Sequence, residues 1–220
     1  MKRLYIIVEG QTEQEFVNTV LRPWLNGHSI YDVTPVLIKT SKHGRGGHVN
    51  ATHLMNTING LLKETSGRQL VVTTFVDFFR IPNSMPGYEE AMRKADSTVQ
   101  ISALEEALAN KVNDRRFIPY IQRHEFEALV FSSNKGFEKY CDKDLSVQTA
   151  AIVEAFNNPE DINSSPETAP SKRLLALIPS YDKVILGNLL ALEVGMDTIL
   201  ARCPRFAKWV QDLVRRCQDE

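Results

Sequence analysis

The chain has 220 residues, enough to bury a sizeable core in one large domain or in one domain with an extension. Its 43% hydrophobic and 24% charged residues are ordinary for a globular protein, and 26 Lys and Arg against 27 Asp and Glu leave a formal charge of -1. That balance excludes wholesale disorder and any global attraction to nucleic acid, so such binding needs a local patch. Three cysteines without a CxxC spacing give no disulfide framework or zinc knuckle. No apolar run reaches the ~20 residues of a membrane span, and no signal-peptide pattern opens the chain, so the expected setting is the cytoplasm.

Residues 4–8 are five consecutive apolar positions that stop at Glu9-Gly10, the pattern of a strand covered on both faces. Thr12 and Glu15 stand at the spacing of a capping box, and Phe16, Val17, Val20, Leu21, Trp24 and Leu25 predict an amphipathic helix that Pro23 kinks or ends. A second strand follows over 33–40, then a polar loop over 41–48 containing Gly44, Gly46 and Gly47. Residues 51–63 carry Leu54, Ile58, Leu61 and Leu62 at helical spacing. The run 70–77 is rich in β-branched residues and again finishes on an acid, Asp77.

A proline-rich turn fills 81–87, and Ile101, Leu104, Leu108 and Val112 mark a helix that starts near Ser97-Thr98. Residues 117–121 read as a further strand, demoted towards an edge or bulge by Pro119. It runs into 122–129, a predicted helix start that places His124 and Glu125 at a strand end. Beyond it the alternation of strand and helix stops. A polar loop over 157–170 precedes helices over 172–178, 183–193 and 204–217, the last with Phe206, Trp209, Val210, Leu213 and Val214 on one face. The fold class expected is α/β, a mostly parallel sheet with flanking helices over 1–135 and a helical C-terminal extension over 136–220.

Carboxyl ends of parallel strands share one edge, where ligands bind in open α/β sheets, so Glu9 and Asp77 are expected to converge there. Mg²⁺ or Mn²⁺ is held by one or two carboxylates plus waters and substrate phosphates, which Glu9 and Asp77, with Glu125 as a third, can supply. The plainer alternative is that each acid faces solvent or caps a helix. His124 is a candidate base or ligand, equally readable as a packed histidine. Lys42 and Arg45 in the glycine-rich loop, and Lys172 and Lys183 in the C-terminal part, are candidate contacts to a phosphate backbone or simply solvated charges. No Walker loop, GxGxxG after the first strand or GxSxG is present, which counts against a nucleotide switch, a dinucleotide fold and a serine hydrolase.

The stretches 8–17, 73–79 with Pro86-Gly87, 124–131, 169–174 and 203–206 together resemble the bacterial family of domain of unknown function 4276, in order and over nearly the whole chain. That family is similar to Toprim domains, the metal-binding α/β module of topoisomerases, primases and overcoming-lysogenization-defect nucleases. The resemblance implies a Mg²⁺-dependent nuclease acting on DNA or RNA, with Glu9 as the acid of the first strand and Asp77 as the first acid of a DxD motif. Phe79 stands where the second acid is expected, which leaves Glu125, Glu127 or His124 to replace it, or a non-catalytic adaptor that binds a partner ATPase or nucleic acid. The resemblance also implies work beside an ATPase of the ATP-binding-cassette type in phage or plasmid defence.

Overall fold

The computed structural model describes residues 2–38, 50–64, 69–162 and 167–219. The predicted loop with Lys42 and Arg45, and the last residues of the predicted second strand, lie outside them.

The architecture is the expected one, a parallel sheet with flanking helices. Strands β1 (Arg3–Val8), β2 (Val33–Leu37), β3 (Leu70–Asp77) and β4 (Phe117–Ile118) lie in the order β2-β1-β3-β4, and β5 (Ile121–Gln122) also pairs with β3. Every pairing is parallel. β1 and β3 are neighbours in register from Arg3 opposite Leu70 to Val8 opposite Phe75. Their carboxyl ends therefore leave the sheet side by side.

The two-residue period of each strand sorts side chains to two faces. Leu4, Ile6 and Val8 with Val71 and Phe75 face one cluster, which includes α1 (Gln11–Phe16), α10 (Leu186–Val194), α11 (Met196–Arg202) and α12 (Pro204–Gln218). Ile7, Val72 and Val76 face the other, built from α3 (Ala51–Glu64), α4 (Tyr88–Met92) and α5 (Ser97–Val112). The helix after β1 and the helices after β3 thus cover opposite faces. The gap between β1 and β3 is the topological switch point, the position that opens a crevice at the strand ends.

Several local expectations shift. The first helix starts at Gln11 with Gly10 as its cap, and Glu13, not Glu15, reaches back to accept the Gly10 N–H at 2.9 Å. Glycine has no side chain to reciprocate, so only half of a capping box forms. Pro23 does not end the helix: a π-helical turn, Val17–Leu21, precedes α2 (Arg22–Gly27), and its wider winding accommodates a residue that lacks an N–H and crowds the preceding turn. The predicted strand over 117–121 is split at Pro119-Tyr120. There the Thr74 hydroxyl accepts from Tyr120 N and donates to Tyr120 O, both at 2.8 Å, so a side chain patches the ladder.

The helical part over 136–220 begins within α7 (Lys135–Tyr140) and continues through α8 (Lys143–Ala155), α9 (Pro170–Leu177), α10, α11 and α12. It shares its core with the sheet. Trp209 of α12 stacks on Tyr120 (4.4 Å between centroids) and on Phe75 (5.4 Å), and its Nε1 donates to Thr73 Oγ1 at 2.9 Å. Buried Glu160, in the short 3-10 turn Pro159–Asp161, accepts from the N–H groups of Arg205 and Phe206 and so caps α12. Among the described residues no helix is long and apolar enough to cross a membrane.

Because Trp209 joins α12 to the central strands, Trp209→Ala is expected to cost about 3–5 kcal/mol in urea unfolding. Trp209→Phe keeps the ring contacts but leaves Thr73 without its donor, and should cost about 1–2 kcal/mol.

Candidate metal centre

Glu9 follows β1 directly and Asp77 is the last residue of β3, so the switch point delivers both to one cleft. The cleft has a volume of about 270 Å³. Glu9, Asp77, Glu125, Lys172 and Lys183 all line it, with Phe79, Arg80 and Ser171. Leu54, Ile81, Pro82 and Met85 form its apolar side. Five of the residues singled out from sequence are therefore brought together.

The β3–β5 pairing sets the rest of the geometry. Phe78 N donates to Gln122 O and Phe79 N to His124 O, each at 2.9 Å, which carries the ladder past the formal strand end. Asp77 Oδ1 accepts from Phe126 N at 3.1 Å. These bonds lay residues 123–127 beside the end of β3, as a turn rather than the predicted helix start. Only at Glu127 does the single-turn α6 (Glu127–Val130) begin.

Glu125 is buried, and its two oxygens accept from Ser171, one from Oγ at 2.8 Å and one from N at 3.0 Å. It thus caps α9, whose first helical residue is Pro170. That contact also holds Lys172 at the cleft. Lys183 reaches the same place from the turn before α10, which Asp182 organises by accepting from Val184 N and Ile185 N at 2.9 Å. The predicted helix over 183–193 starts later than expected, at Leu186. Lys183 is in consequence a turn residue.

His124 is not brought to the cleft. Its backbone adopts φ +66°, the residue is 3% exposed, and neither ring nitrogen has a hydrogen-bond partner among the described residues. Burial, followed by the nearby Arg123 guanidinium, pushes its pKa down to about 4. The carbonyl contributes to the site and the imidazole does not. Phe79, where a second DxD acid was sought, lines the cleft with the Arg80 guanidinium over its ring at 5.2 Å.

Two further acids complete the charge distribution: Glu127, named from the resemblance as a possible replacement for the second acid, and Glu13, which was not singled out. Glu13 and Glu127 are almost fully buried. Burial raises the Glu13 pKa, and it pushes Glu127 up to about 7 against the pull of Lys183. Asp77 is raised well above the carboxylate range by desolvation and then by Glu13, Glu9, Glu127 and Glu125. Desolvation works against the Lys183 ammonium, but Glu127, Glu13, Asp77 and Glu125 together outweigh it and raise that pKa. One Glu127 oxygen is buried without a hydrogen bond among the described residues, as are the Tyr181 hydroxyl and Asn188 Oδ1. Tyr181 lies so close to α10 that a Cβ on Gly187 would meet its hydroxyl at 2.6 Å.

No three His, Cys, Asp or Glu side chains among the described residues form a ready-made metal cage. The donor set nevertheless suits a hard cation. Mg²⁺ needs only one or two carboxylates with waters and phosphate oxygens, and the acids here repel one another until a positive charge joins them.

The raised Glu127 pKa has a definite sign. Between its ordinary value of 4.5 and about 7 the folded chain holds more protons than the unfolded one, so this group's stability contribution is lost as pH rises through that window. His124 acts oppositely, losing stability as pH falls from 6.5 towards about 4. In EDTA, Glu127→Gln should therefore gain stability over the native chain by up to about 3 kcal/mol between pH 5 and pH 8, read by urea unfolding at each pH.

No curated protein matches the chain. Among solved structures it is similar to the C-terminal region of the Burkholderia pseudomallei OLD protein, at 17% identity over 97% of this chain and 99% of that one, with a TM-score of 0.45. It is also similar to the C-terminal region of the Xanthomonas campestris pv. campestris OLD protein, at 16% identity over 98% and 97%, with a TM-score of 0.43. The model of the family described as domain of unknown function (DUF4276) matches residues 8–214, and the chain belongs to that family.

Proposed function

We propose that the chain is a Mg²⁺- or Mn²⁺-dependent phosphodiesterase acting on DNA or RNA. The observation that carries this reading is the convergence of Glu9, Asp77 and Glu125 with Lys172 and Lys183 on one cleft at the switch point of a parallel sheet. Glu9 and Asp77 hold the cation. Glu125, its oxygens engaged by Ser171, fixes the cleft wall and adds negative charge. A bound divalent cation supplies stabilisation of the charge that develops on the phosphodiester and lowers the pKa of a coordinated water.

Lys172 and Lys183 offset the substrate's phosphate charge from the C-terminal side of the cleft. Glu127, buried and electrostatically linked to Lys183, has its carboxyl pushed up to about 7, and in this scheme its charge tunes Lys183 near neutral pH. His124 has no part in proton transfer in this scheme, since it is buried and does not line the cleft. Residues 136–220 act as an extension that closes the site. Control by a partner ATPase of the ATP-binding-cassette type, in a defence setting and in the cytoplasm, belongs to the same proposal, because an unrestrained nuclease endangers its own cell.

Phe79 favours a second reading, a non-catalytic adaptor that keeps the cleft as a binding surface. Nicking of supercoiled plasmid and cleavage of RNA in Mg²⁺ or Mn²⁺ separate the two. The nuclease reading expects cleavage by the native chain and a loss of at least about 100-fold in Glu9→Gln and Asp77→Asn. Cleavage that persists in both variants would point to a contaminant. No cleavage of either substrate, with or without an added ATPase partner, would leave the adaptor.

A further inference from the structure

The opposite edge of the sheet carries a second charged recess. At the amino-terminal ends of β1 and β3, Lys2, Leu70, Val71, Arg115, Arg116 and Arg216 surround a cavity of about 270 Å³, with Asp219 also on its wall. The six residues of β1 place it roughly 20 Å from the acidic cleft, so one phosphate group cannot occupy both. Three separate stretches deliver the cations: the residue before β1, the turn before β4, and the last turn of α12.

These cations are held by neutral groups. Lys2 Nζ donates to the backbone oxygen of Arg216 at 2.7 Å, and Arg216 Nη2 donates to the backbone oxygen of Arg115. Lys2 and Arg216 are half-buried and Arg115 is exposed. Among the described residues none of the three is in an ion pair, and Asp219, though nearby, is exposed and within pairing distance of none of them. Arg116 differs, since Asp114 pairs with it at 2.7 Å and it also donates to Leu62 O at 3.0 Å. Like charges repel, and here backbone carbonyls hold Lys2, Arg115 and Arg216 around one recess with no carboxylate in an ion pair with any of the three among the described residues.

We propose that this recess is an anion site that takes a phosphate group, with Lys2, Arg115 and Arg216 as its contacts. A terminal phosphate carries close to two negative charges and three strong acceptor oxygens, which suits cations arriving from three directions. The bond to Arg115 O uses one of the five N–H donors of Arg216 and leaves others for bidentate contact. The phosphate belongs either to a small ligand such as a mononucleotide or to a nucleic-acid backbone that continues over this edge.

The test is calorimetric titration of pyrophosphate into the full chain in EDTA, for the native protein and for Arg115→Gln, Arg216→Gln and Lys183→Gln. Saturable binding is expected, weakened roughly tenfold by either arginine substitution and unchanged by Lys183→Gln. The exposed position of Arg115 makes its variant a test of charge rather than of folding. Absence of saturable binding, native affinity retained in both arginine variants, or loss in Lys183→Gln instead would overturn the proposal. Displacement of pyrophosphate by a mononucleotide identifies a small ligand, displacement by a short duplex identifies a backbone phosphate, and either outcome upholds the site.

Discussion

Confinement of like charge at the ends of two adjacent parallel strands is the constraint on which the rest of this structure depends. β1 and β3 are in register, β1 runs directly into Glu9 and β3 ends on Asp77, and the fold then packs three further carboxylates around Asp77. Such a cluster is costly in isolation. The compensations are specific: Phe126 N on Asp77, Ser171 on Glu125, Gly10 N on Glu13, and the Lys183 ammonium shared among four acids. Three of these four come from segments far along the chain. The site is therefore assembled by tertiary packing and not by any one local motif.

This explains why the C-terminal helices share a core with the sheet. Trp209 and Phe206 reach the aromatic cluster around Phe75 and Tyr120, while α9 and the turn before α10 bring Ser171, Lys172 and Lys183 to the cleft. The α12 cap on Glu160 and the α9 cap on Glu125 use buried carboxylates in the same way, each satisfying backbone N–H groups at a helix start that opens with proline.

Much of the sheet could be read directly from the residues, because continuous apolar runs bounded by glycine or an acid have few other interpretations. Glu9 and Asp77 stood out for that reason. Glu13 did not, and Glu127 entered only through the family resemblance: a glutamate in the first turn of a helix ordinarily caps or faces water, whereas here tertiary packing buries both. His124 misled for the converse reason. Its position beside Glu125 was visible, but its left-handed backbone and its burial outside the lining of the cleft have no signature in residue type. The break at Pro119 was foreseeable, whereas its repair by the Thr74 hydroxyl was not, since it joins residues 46 apart.

The most direct test of the central claim is cation binding at the strand ends, apart from any turnover. Free aqueous Mn²⁺ can be followed by its electron paramagnetic resonance signal as the protein is titrated at pH 8. The account predicts saturable loss of the free signal with the native chain and none with the double variant Glu9→Gln, Asp77→Asn. A native chain that leaves Mn²⁺ free, or a double variant that binds it as tightly, would contradict the account.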